Sequence, residues 1–425
     1  MSTSRAVRRE KAIAVGVILP EVTRSVVEEH LEELAKLIES AGGEIGSTLI
    51  AKRNGPDPAT YVGSGKAEEI AAMVTDQGVR LVVFDDDLSP AQTRNLEKII
   101  PAKVMDRSGL ILDIFARRAR SRESKTQVEL AQMSYLLPRL TKQWSHLSRQ
   151  AGGIGTRGVG ETQLESDRRI VRERISRLKD DLKKIERTRE TQRQGRKGAF
   201  TVALVGYTNA GKSTLFNQLT SGDAEAVDRL FATLDSRLHK IRFEMPRETV
   251  IIDTVGFIRK LPHHLVASFR STMEEAVSAD LALHVIDASH PQFEDQRVVG
   301  EQVLEGLGVL PTNIIEVYNK VDRIEEGIPP NLRKKNAVSV SALTGAGIST
   351  LVGLIREREL AGGEMLTLEI PVQESKLLAR LHEVGEIFEK SMTGEVTRVT
   401  AWIPSDAVHQ FDAWAVPGAE AKRPA

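Results

Sequence analysis

The first 120 residues alternate between short apolar runs and longer segments in which apolar residues recur every three or four positions. The short runs predict four strands, at Ala12–Leu19, Glu44–Ile50, Arg80–Phe84 and Lys103–Met105. The amphipathic segments between them predict three helices, at Val26–Ser40, Lys66–Thr75 and Pro90–Ile99. Strands that alternate with helices in this way are typical of a small α/β layer.

Two longer helical stripes follow this layer. The first consists of Leu130, Met133, Leu137, Leu140, Trp144 and Leu147, and the second of Val171, Ile175, Leu178, Leu182 and Ile185. Together they predict an antiparallel helical hairpin. Pro138 interrupts the first stripe, and because the stripe continues beyond it, we predict a kink there rather than the end of the helix.

The connection between the two stripes, residues 152–160, contains five glycines in nine residues. It is longer than a turn between helices needs, and loops of this length are often functional. We therefore favour a segment that inserts into a partner over a flexible connector.

The second half of the chain is again α/β. Apolar runs predict strands at Phe200–Val205, Val250–Ile252, Ile314–Tyr318 and Ala337–Val340. Near the end of the chain the pattern predicts a β-α-β unit, with a strand at Leu366–Pro371, a helix at Lys376–Phe388 and a strand at Val396–Ile403.

Length and composition predict a soluble protein of several domains. A chain of 425 residues is too long for one ordinary core, and the absence of cysteine excludes disulfides and thiolate metal sites. Arg5–Lys11 followed by Ala12–Leu19 resembles a short signal sequence, but Pro20 ends the run and no small-residue cleavage site follows. We interpret the run as a first strand, and expect a cytoplasmic location without stable membrane insertion.

Charge is segregated along the chain. The whole chain balances 59 basic against 59 acidic residues, whereas residues 117–197 hold 22 Lys and Arg against 10 Asp and Glu, a net charge of +12. A charged run is usually a solvated helix face. Residues 140–160, however, contain Lys142, Arg149 and Arg157 without an acid, together with Trp144 and His146. Basic and stacking side chains beside a glycine-rich backbone favour structured RNA as the partner.

A phosphate-binding motif directly follows the strand predicted at Phe200–Val205. Gly206–Ser213 matches G-x-x-x-x-G-K-S, in which backbone N–H groups surround phosphate oxygens at a helix N-terminus. Lys212 offers a charge to the outer phosphates and Ser213 a hydroxyl to Mg²⁺. The alternative is a plain glycine turn between strand and helix. The candidate nucleotide-binding residues here are Gly206, Tyr207, Thr208, Asn209, Ala210, Gly211, Lys212, Ser213 and Thr214.

Two later motifs indicate that the base is guanine. Asp322, in Asn319-Lys320-Val321-Asp322, can accept hydrogen bonds from N1–H and the exocyclic amine of guanine. Adenine presents an acceptor at the first position and nothing at the second, so the carboxylate would lose both partners. Ser341-Ala342-Leu343 resembles the loop of GTPases whose backbone N–H groups reach the base carbonyl. The sequence therefore predicts GTP and GDP as ligands.

Two segments between these motifs are candidates for sensing the third phosphate. In Asp253-Thr254-Val255-Gly256, the carboxylate would hold Mg²⁺ through water and the glycine N–H would meet the γ-phosphate. Thr233 is the candidate second hydroxyl ligand of Mg²⁺. The candidate catalytic residues are Lys212, Thr233 and Gly256. The segment around Thr233 adds the candidate nucleotide-binding residues Phe231, Ala232, Leu234 and Asp235.

The residue after Gly256 is Phe257, which cannot orient an attacking water molecule by hydrogen bonding. We therefore predict slow hydrolysis by the protein alone and acceleration by a partner that supplies or organises the missing group.

With these motifs the chain resembles the HflX family of GTPases over nearly its whole length. The resemblance is carried by Gly152–Gly158, Gly160-Glu161, Leu164-Glu165, Asp167-Arg168-Arg169, Asp253–Arg259, Leu88–Gln92 and Asp106-Arg107. It implies binding to the large (50S) ribosomal subunit and its rRNA, with the hairpin near the peptidyl transferase centre, and separation of stalled or idle ribosomes under heat or other stress. The candidate RNA contacts are Lys142, Arg149, Arg157, Arg168 and Arg169. Ser236-Arg237 departs from the family, many members of which have Pro-Thr there.

The predicted fold class is α/β, with a P-loop GTPase domain preceded by a small α/β domain and a two-helix hairpin. The predicted boundaries are 1–119 for the N-terminal domain, 120–197 for the basic hairpin, 198–360 for the GTPase domain and 361–425 for a β-α-β domain. We expect a monomer that uses Mg²⁺.

Two other functions remain open. The first is a regulatory GTPase that binds a protein partner. That partner could be membrane-associated, in which case a fraction of this protein would be found at the membrane periphery. An RNA-remodelling ATPase would use the N-terminal layer, where Gly63-Ser64-Gly65-Lys66 resembles half a phosphate loop. Its first glycine stands too close to Gly65, so we interpret it as a helix-initiating turn.

Overall fold

The computed structural model describes residues 10–140, 163–194, 199–220, 230–231, 233–235, 237–241, 248–260, 275, 277–324 and 336–416. The chain divides into two compact units. The first contains Met1–Arg189, Val227–Asp235 and Ile258–Ser271, and the second contains Glu190–Ala226, Ser236–Phe257 and Thr272–Ala425. Two short pieces of the second half of the chain therefore belong to the N-terminal unit.

A four-stranded parallel sheet forms the centre of the first unit, in the order β2-β1-β3-β4. Its strands are β1 (Glu10–Ile18), β2 (Gly43–Lys52), β3 (Leu81–Phe84) and β4 (Lys103–Asp106). Helices α1 (Arg24–Ser40), α2 (Ser64–Gln77) and α3 (Pro90–Ile99) connect them. All seven predicted elements are confirmed within two residues at each end. The residues Ala12 to Val17 of β1 are buried, as expected of an inner parallel strand covered on both faces.

The prediction for Gly63–Lys66 is also confirmed. Gly63, with φ +88°, precedes the first residue of α2, and Lys66 forms an ion pair with Glu69 one turn further on. The half phosphate loop is thus the start of a helix.

A fourth helix, α4 (Arg107–Arg118), was not predicted. Asp106, at the end of β4, caps it by accepting a hydrogen bond from the backbone N of Gly109 at 2.8 Å. Its residues from Arg107 to Leu112 are all buried, together with Ile114 and Phe115. Because its buried residues include the polar Arg107 and Ser108, burial in this helix does not follow the polar and apolar pattern from which an amphipathic helix is predicted.

The hairpin consists of α5 (Arg122–Leu136) and α6 (Gln163–Gln194). Contacts descend along α6 as they ascend along α5, so the two helices are antiparallel. The Arg189 and Arg174 side chains pair with Glu123 and Glu129, and Arg168 donates to the Leu140 carbonyl.

The predicted kink at Pro138 is wrong, because α5 ends at Leu136. A single 3₁₀ turn, Leu137–Arg139, follows it, and Leu140 is extended with ψ 117°. Proline lacks the N–H for an α-helical bond and its ring collides with the carbonyl four residues back. The later members of the stripe, Trp144 and Leu147, lie outside the described residues, as does the glycine-rich loop 152–160.

The second unit contains a six-stranded sheet in the order β10-β9-β8-β5-β7-β6. The strands are β5 (Phe200–Gly206), β6 (Arg237–Ile241), β7 (Thr249–Asp253), β8 (Leu281–Asp287), β9 (Ile314–Asn319) and β10 (Ala337–Ser339). All pair in parallel except β6, an antiparallel edge strand. Helices α7 (Lys212–Thr220), α8 (Phe293–Gly306) and α9 (Ile348–Ala361) accompany the sheet. The carboxyl ends of β5, β7 and β9 present the predicted motifs.

The C-terminal part is β-α-β-β, not the predicted β-α-β. Its elements are β11 (Gly363–Pro371), α10 (Ser375–Val384), β12 (Glu386–Thr393) and β13 (Val396–Pro404), with an antiparallel sheet in the order β11-β13-β12. The predicted helix to Phe388 stops at Val384 because Gly385 is extended, at φ −128° and ψ 177°. A Cβ atom at Gly385 would lie 2.5 Å from the Trp402 carbonyl oxygen of β13. Close approach of that strand therefore requires glycine at the position where the chain leaves the helix.

Candidate nucleotide site

Two glycines allow the loop after β5 to fold. Gly206 has φ +144°, and a Cβ atom there would lie 2.1 Å from the Val285 carbonyl oxygen of the neighbouring strand β8. Gly211 has φ +93°, and its Cβ would lie 2.2 Å from the Asn319 amide nitrogen. No larger residue fits at either position. The tight turn that carries the loop into α7 thus depends on both glycines of the motif.

Lys212 lies over the loop that precedes it. Its Nζ donates to the carbonyl oxygens of Gly206 at 3.0 Å and Tyr207 at 2.8 Å. Burial lowers the pKa of Lys212 to about 8, against the opposing effect of the Asp253 carboxylate. An anionic ligand would favour the charged ammonium, so a phosphate is a better partner for this side chain than the loop carbonyls.

Ser213 and Asp253 lie together at the same end of the sheet. The Ser213 Oγ donates to Asp253 Oδ2 at 2.8 Å, and the Asp253 side chain is fully buried at the end of β7. Thr254 Oγ1 donates to the Leu204 carbonyl at 2.6 Å, which holds the chain that follows the aspartate. A hydroxyl oxygen and a carboxylate oxygen side by side suit Mg²⁺, a hard cation that prefers oxygen ligands.

No cluster of three or more His, Cys, Asp or Glu that would hold a metal by itself exists among the described residues. The donor set fits an ion that shares its coordination with nucleotide phosphates.

Gly256 and Phe257 lie against the phosphate loop. A Cβ atom at Gly256 would lie 2.8 Å from Thr208 Cα and 2.9 Å from Lys212 Nζ. The Phe257 backbone N donates to the Gly206 carbonyl at 2.9 Å, and its carbonyl accepts from the Thr208 N at 2.7 Å. The Phe257 side chain is only 3% exposed. Phe257 therefore joins the two segments through its backbone and buries its ring.

The Asn319 side chain connects three loops. Its Nδ2 donates to the Ala210 carbonyl at 2.9 Å, and its Oδ1 accepts from the Ala342 N at 2.9 Å. The phosphate loop and the two guanine motifs are thus held in one arrangement by a single amide. Separate sequence motifs become one site at this residue.

Lys320 makes a contact that the sequence did not predict. Its Nζ donates to the Asn209 carbonyl at 2.8 Å and to Asp287 Oδ2 at 2.6 Å. Asp287 ends β8, a strand absent from the sequence prediction. The sequence does place Asp287 at the end of an apolar run, and that position could have predicted an acid at the ligand-facing edge of the sheet.

Asp322 is exposed and held in place. Its Oδ1 accepts from Ser341 Oγ at 2.5 Å, and the same Oγ accepts from the Thr344 N at 3.1 Å. Leu343 is 73% exposed on the same loop. A fixed, accessible carboxylate meets the requirement for recognising N1–H and the exocyclic amine of guanine.

The remaining predicted residues belong to the first unit or lie outside the described residues. Phe231, Thr233, Leu234 and Asp235 belong to the first unit, where Thr233 is buried. On α6, Arg168 is partly buried, and Arg169 is exposed and faces Glu173 at 3.6 Å. Ala232, Lys142, Arg149 and Arg157 lie outside the described residues.

Substituting Lys212 is expected to remove nucleotide binding. Lys212→Ala should weaken GTP affinity by about 30-fold or more, the usual effect of removing one partner of a buried charge pair. Lys66→Ala is the matched control, since Lys66 belongs to the half loop that starts α2. Equilibrium titration with a fluorescent GTP analogue measures both. If Lys66→Ala lost GTP affinity and Lys212→Ala did not, the nucleotide would bind at the start of α2 and not at the loop after β5.

Comparison with known proteins places these features in one family. Family models match three consecutive parts of the chain: GTP-binding GTPase N-terminal over residues 28–116, GTP-binding GTPase Middle Region over 118–196, and 50S ribosome-binding GTPase over 201–320. The GTPase HflX of Magnetococcus marinus is 46% identical over 89% of each chain. That of Escherichia coli is 46% identical over 90% of this chain and 91% of its own.

Two further similarities were found. The GTPase HflX of Chlamydia pneumoniae is 41% identical over 94% of this chain and 87% of its own. A solved GTP-binding protein from Sulfolobus solfataricus in complex with GDP is 24% identical, covers 83% of this chain and 99% of its own, and has a TM-score of 0.45.

Proposed function

The chain belongs to the HflX family of GTPases, and we propose that it hydrolyses GTP on the large ribosomal subunit in order to separate stalled or idle ribosomes under stress. The matched description, 50S ribosome-binding GTPase, supports the partner. The observation that carries the proposal is the +12 charge of residues 117–197, which include the α5–α6 hairpin. A basic helical pair with a glycine-rich loop suits structured RNA.

The nucleotide would be held by the loop after β5 and the two guanine motifs. The Lys212 ammonium would exchange the carbonyls of Gly206 and Tyr207 for the outer phosphate oxygens. Asp322 would orient the guanine base from its contact with Ser341. Each of these groups already lies where a parallel α/β sheet presents its ligand-facing loops.

Ser213, Thr233 and, through water, Asp253 would hold Mg²⁺. The ion neutralises charge on the phosphates during phosphoryl transfer. The Gly256 N–H would meet the γ-phosphate beside Lys212, where a side chain at Gly256 would collide with the lysine. The assignment of Thr233 rests on its place in the sequence between the phosphate loop and Asp253.

Dependence on the ribosome follows from Phe257. Its ring is buried and its backbone is engaged with Gly206 and Thr208, so it offers no group to an attacking water. Hydrolysis by the protein alone is then slow, and the ribosome supplies or organises what is missing.

The alternative is a regulatory GTPase whose hairpin docks a protein. No described helix is both long and apolar enough to cross a membrane. Nuclease treatment of the bound fraction separates the two functions, because docking to a protein should survive digestion of RNA.

Ribosome association is expected to depend on the arginines of the hairpin. Replacing Arg149 and Arg157 together by Ala should weaken co-sedimentation with large subunits and reduce its salt slope by about 1.4 to 1.8, since each phosphate contact contributes roughly 0.7 to 0.9. GTP affinity should not change.

The matched control replaces Arg380 and Arg398, both half-exposed on the C-terminal part, by Ala. It removes the same charge without touching the hairpin. If the hairpin variant sedimented unchanged, or if the control lost as much co-sedimentation, the hairpin would not be the part that binds the ribosome.

A further inference from the structure

Two short segments that bracket the candidate γ-phosphate residues are fastened to the N-terminal unit. The first segment, residues 230–235, contains Thr233, and the second segment, residues 258–260, follows Gly256 and Phe257 directly. Contacts place both segments in the first unit, although their chain neighbours belong to the second. Each segment is covalently continuous with one part of the nucleotide machinery.

Asp235 fastens the first segment to the start of α5. Its Oδ2 accepts from the backbone N of Arg120 at 3.0 Å and of Ser121 at 3.2 Å, and its Oδ1 accepts from Ser121 Oγ at 2.5 Å. Ser121 is the N-cap of α5, and its Oγ also accepts from the Ser124 N at 3.0 Å. Burial raises the pKa of Asp235, but hydrogen bonds from Ser121, Ser124 and Arg120 outweigh it and hold the pKa below its usual value.

Phe231 adds an apolar contact to the same segment. Its ring packs edge-to-face on Phe115 of α4, with centroids 4.7 Å apart and planes at 83°. Both side chains are buried. Thr233 therefore lies between two residues that are each held by the N-terminal unit.

Lys260 fastens the second segment to the turn after β3. Its Nζ donates to Asp85 Oδ2 at 2.5 Å and to Asp86 Oδ1 at 2.6 Å. Burial lowers the pKa of Lys260, but the two carboxylates outweigh it and raise the pKa above its usual value. Lys260 has φ +52°, a conformation that non-glycine residues keep only where their surroundings hold them.

A buried polar chain leads from Lys260 to the far end of α5. Asp85 Oδ1 accepts from Arg107 Nη1 at 2.7 Å, and Arg107 is the chain neighbour of Asp106. Asp106 in turn accepts from Tyr135 OH at 2.7 Å and from Arg139 Nη2 at 2.8 Å. Tyr135 belongs to the last turn of α5, and Arg139 closes the 3₁₀ turn that ends it. Asp85, Asp106 and Arg107 are all at least 98% buried.

Helix α5 is thus tied to one segment at each end. We infer that Asp235 and Lys260 are positioning residues for GTP hydrolysis, which fasten the segments beside Thr233 and Gly256 to the two ends of α5. They hold the segments ready for the γ-phosphate and couple the nucleotide to the first arm of the hairpin. The inference rests on the roles proposed above for Thr233 and Gly256.

Cutting either tie should lower turnover without lowering affinity. In Lys260→Ala and in Asp235→Ala, kcat for GTP without ribosomes should fall about tenfold, while the Kd values for GTP and GDP stay within about twofold. Lys260→Arg should retain most of the activity, because a guanidinium can serve both carboxylates. Arg117→Ala, which removes an exposed ion pair with Asp113, is the control and should leave kcat unchanged.

A second readout follows α5 itself. Hydrogen exchange of the amides of Arg122–Leu136 should differ between protein with a non-hydrolysable GTP analogue and protein with GDP, and the difference should disappear in Lys260→Ala. Thermal unfolding confirms that each variant is folded, and Lys260→Arg keeps the test valid where Lys260→Ala fails to fold.

The inference is overturned if kcat is unchanged in the alanine variants or if Lys260→Arg loses as much activity as Lys260→Ala. It is also overturned if hydrogen exchange of the α5 amides is the same with the GTP analogue and with GDP. Because turnover is measured without ribosomes, these outcomes are independent of whether large subunits stimulate the protein. If large subunits did not stimulate turnover, the proposed function would be contradicted, but this inference would not.

Discussion

Adding purified large ribosomal subunits to this protein should raise its GTP turnover by about 10³-fold or more, the scale on which a partner activates GTPases that lack one catalytic group. The physical reason is the position of Phe257. Its ring is buried in the core and its backbone is bonded to Gly206 and Thr208, so the residue that follows Gly256 cannot orient water. Lys212, Ser213 and Asp253, the proposed partners of phosphate and Mg²⁺, nevertheless make contacts at the phosphate loop and at the end of β7.

Phosphate release measured over a titration of large subunits checks this expectation. Small subunits are the matched control, since they present a similar density of RNA phosphates without the proposed site. Lys212→Ala should show no turnover in either case. Full turnover by the isolated protein, or equal stimulation by both subunits, would contradict a specific activator on the large subunit.

Asp322→Asn should change the base that the protein accepts. An aspartate receives two hydrogen bonds from guanine, whereas an asparagine amide would meet the exocyclic amine of guanine with its own N–H donors. GTP affinity should fall by about 100-fold, the size of the penalty for leaving buried polar groups unpaired. Xanthine has a carbonyl where guanine has the amine, so the variant should bind XTP more tightly than the native protein does.

Competition titrations with GTP, XTP and ATP measure the change. Lys212→Ala is the control, because it removes a phosphate contact and should weaken GTP and XTP alike. If Asp322→Asn weakened both nucleotides equally, or gained affinity for ATP, the carboxylate would not be reading the base. Ser341 supports the assignment by holding Asp322 in a fixed position while it remains exposed.

Periodicity was sufficient where each element had one buried face. Helix α1 buries Val27, Leu31, Leu34 and Leu37 at helical spacing, and its bounds follow from that stripe and the polar residues around it. Helix α4 escaped prediction because its buried residues include the polar Arg107 and Ser108, so burial there does not follow the pattern of polar and apolar positions. The predicted helix ran into the first three residues of strand β12, as far as Phe388, because Val384 and Phe388 are four residues apart.

Two helices, α5 and α10, end earlier than their apolar patterns predict. Pro138 ends α5, although the apolar stripe continues beyond it. Gly385 is extended after α10, at a position where β13 approaches too closely for a side chain. In both cases the backbone geometry at one residue sets the helix end, although the apolar pattern continues beyond it.

The phosphate loop and the motifs at Asp253, Asp322 and Ser341 could be identified from the sequence, because each is a short run of neighbouring residues at the end of a strand. Their meeting at one end of the sheet also followed, since parallel strands carry their loops to the same edge. The contacts that join them did not follow. Asn319 reaches Ala210 across 109 residues, and nothing in the sequence spacing predicts that pairing.

By itself, the sequence determined the family, the guanine nucleotide and the missing water-positioning residue, because these depend on the identity of residues close together in the chain. Only the tertiary structure decided that the Phe257 backbone joins the loop to Gly256, and that Asp235 and Lys260 belong with the N-terminal unit. Lys260 lies 175 residues from Asp85 and 174 from Asp86. Contacts over such separations depend on how the whole chain packs, which no local pattern records.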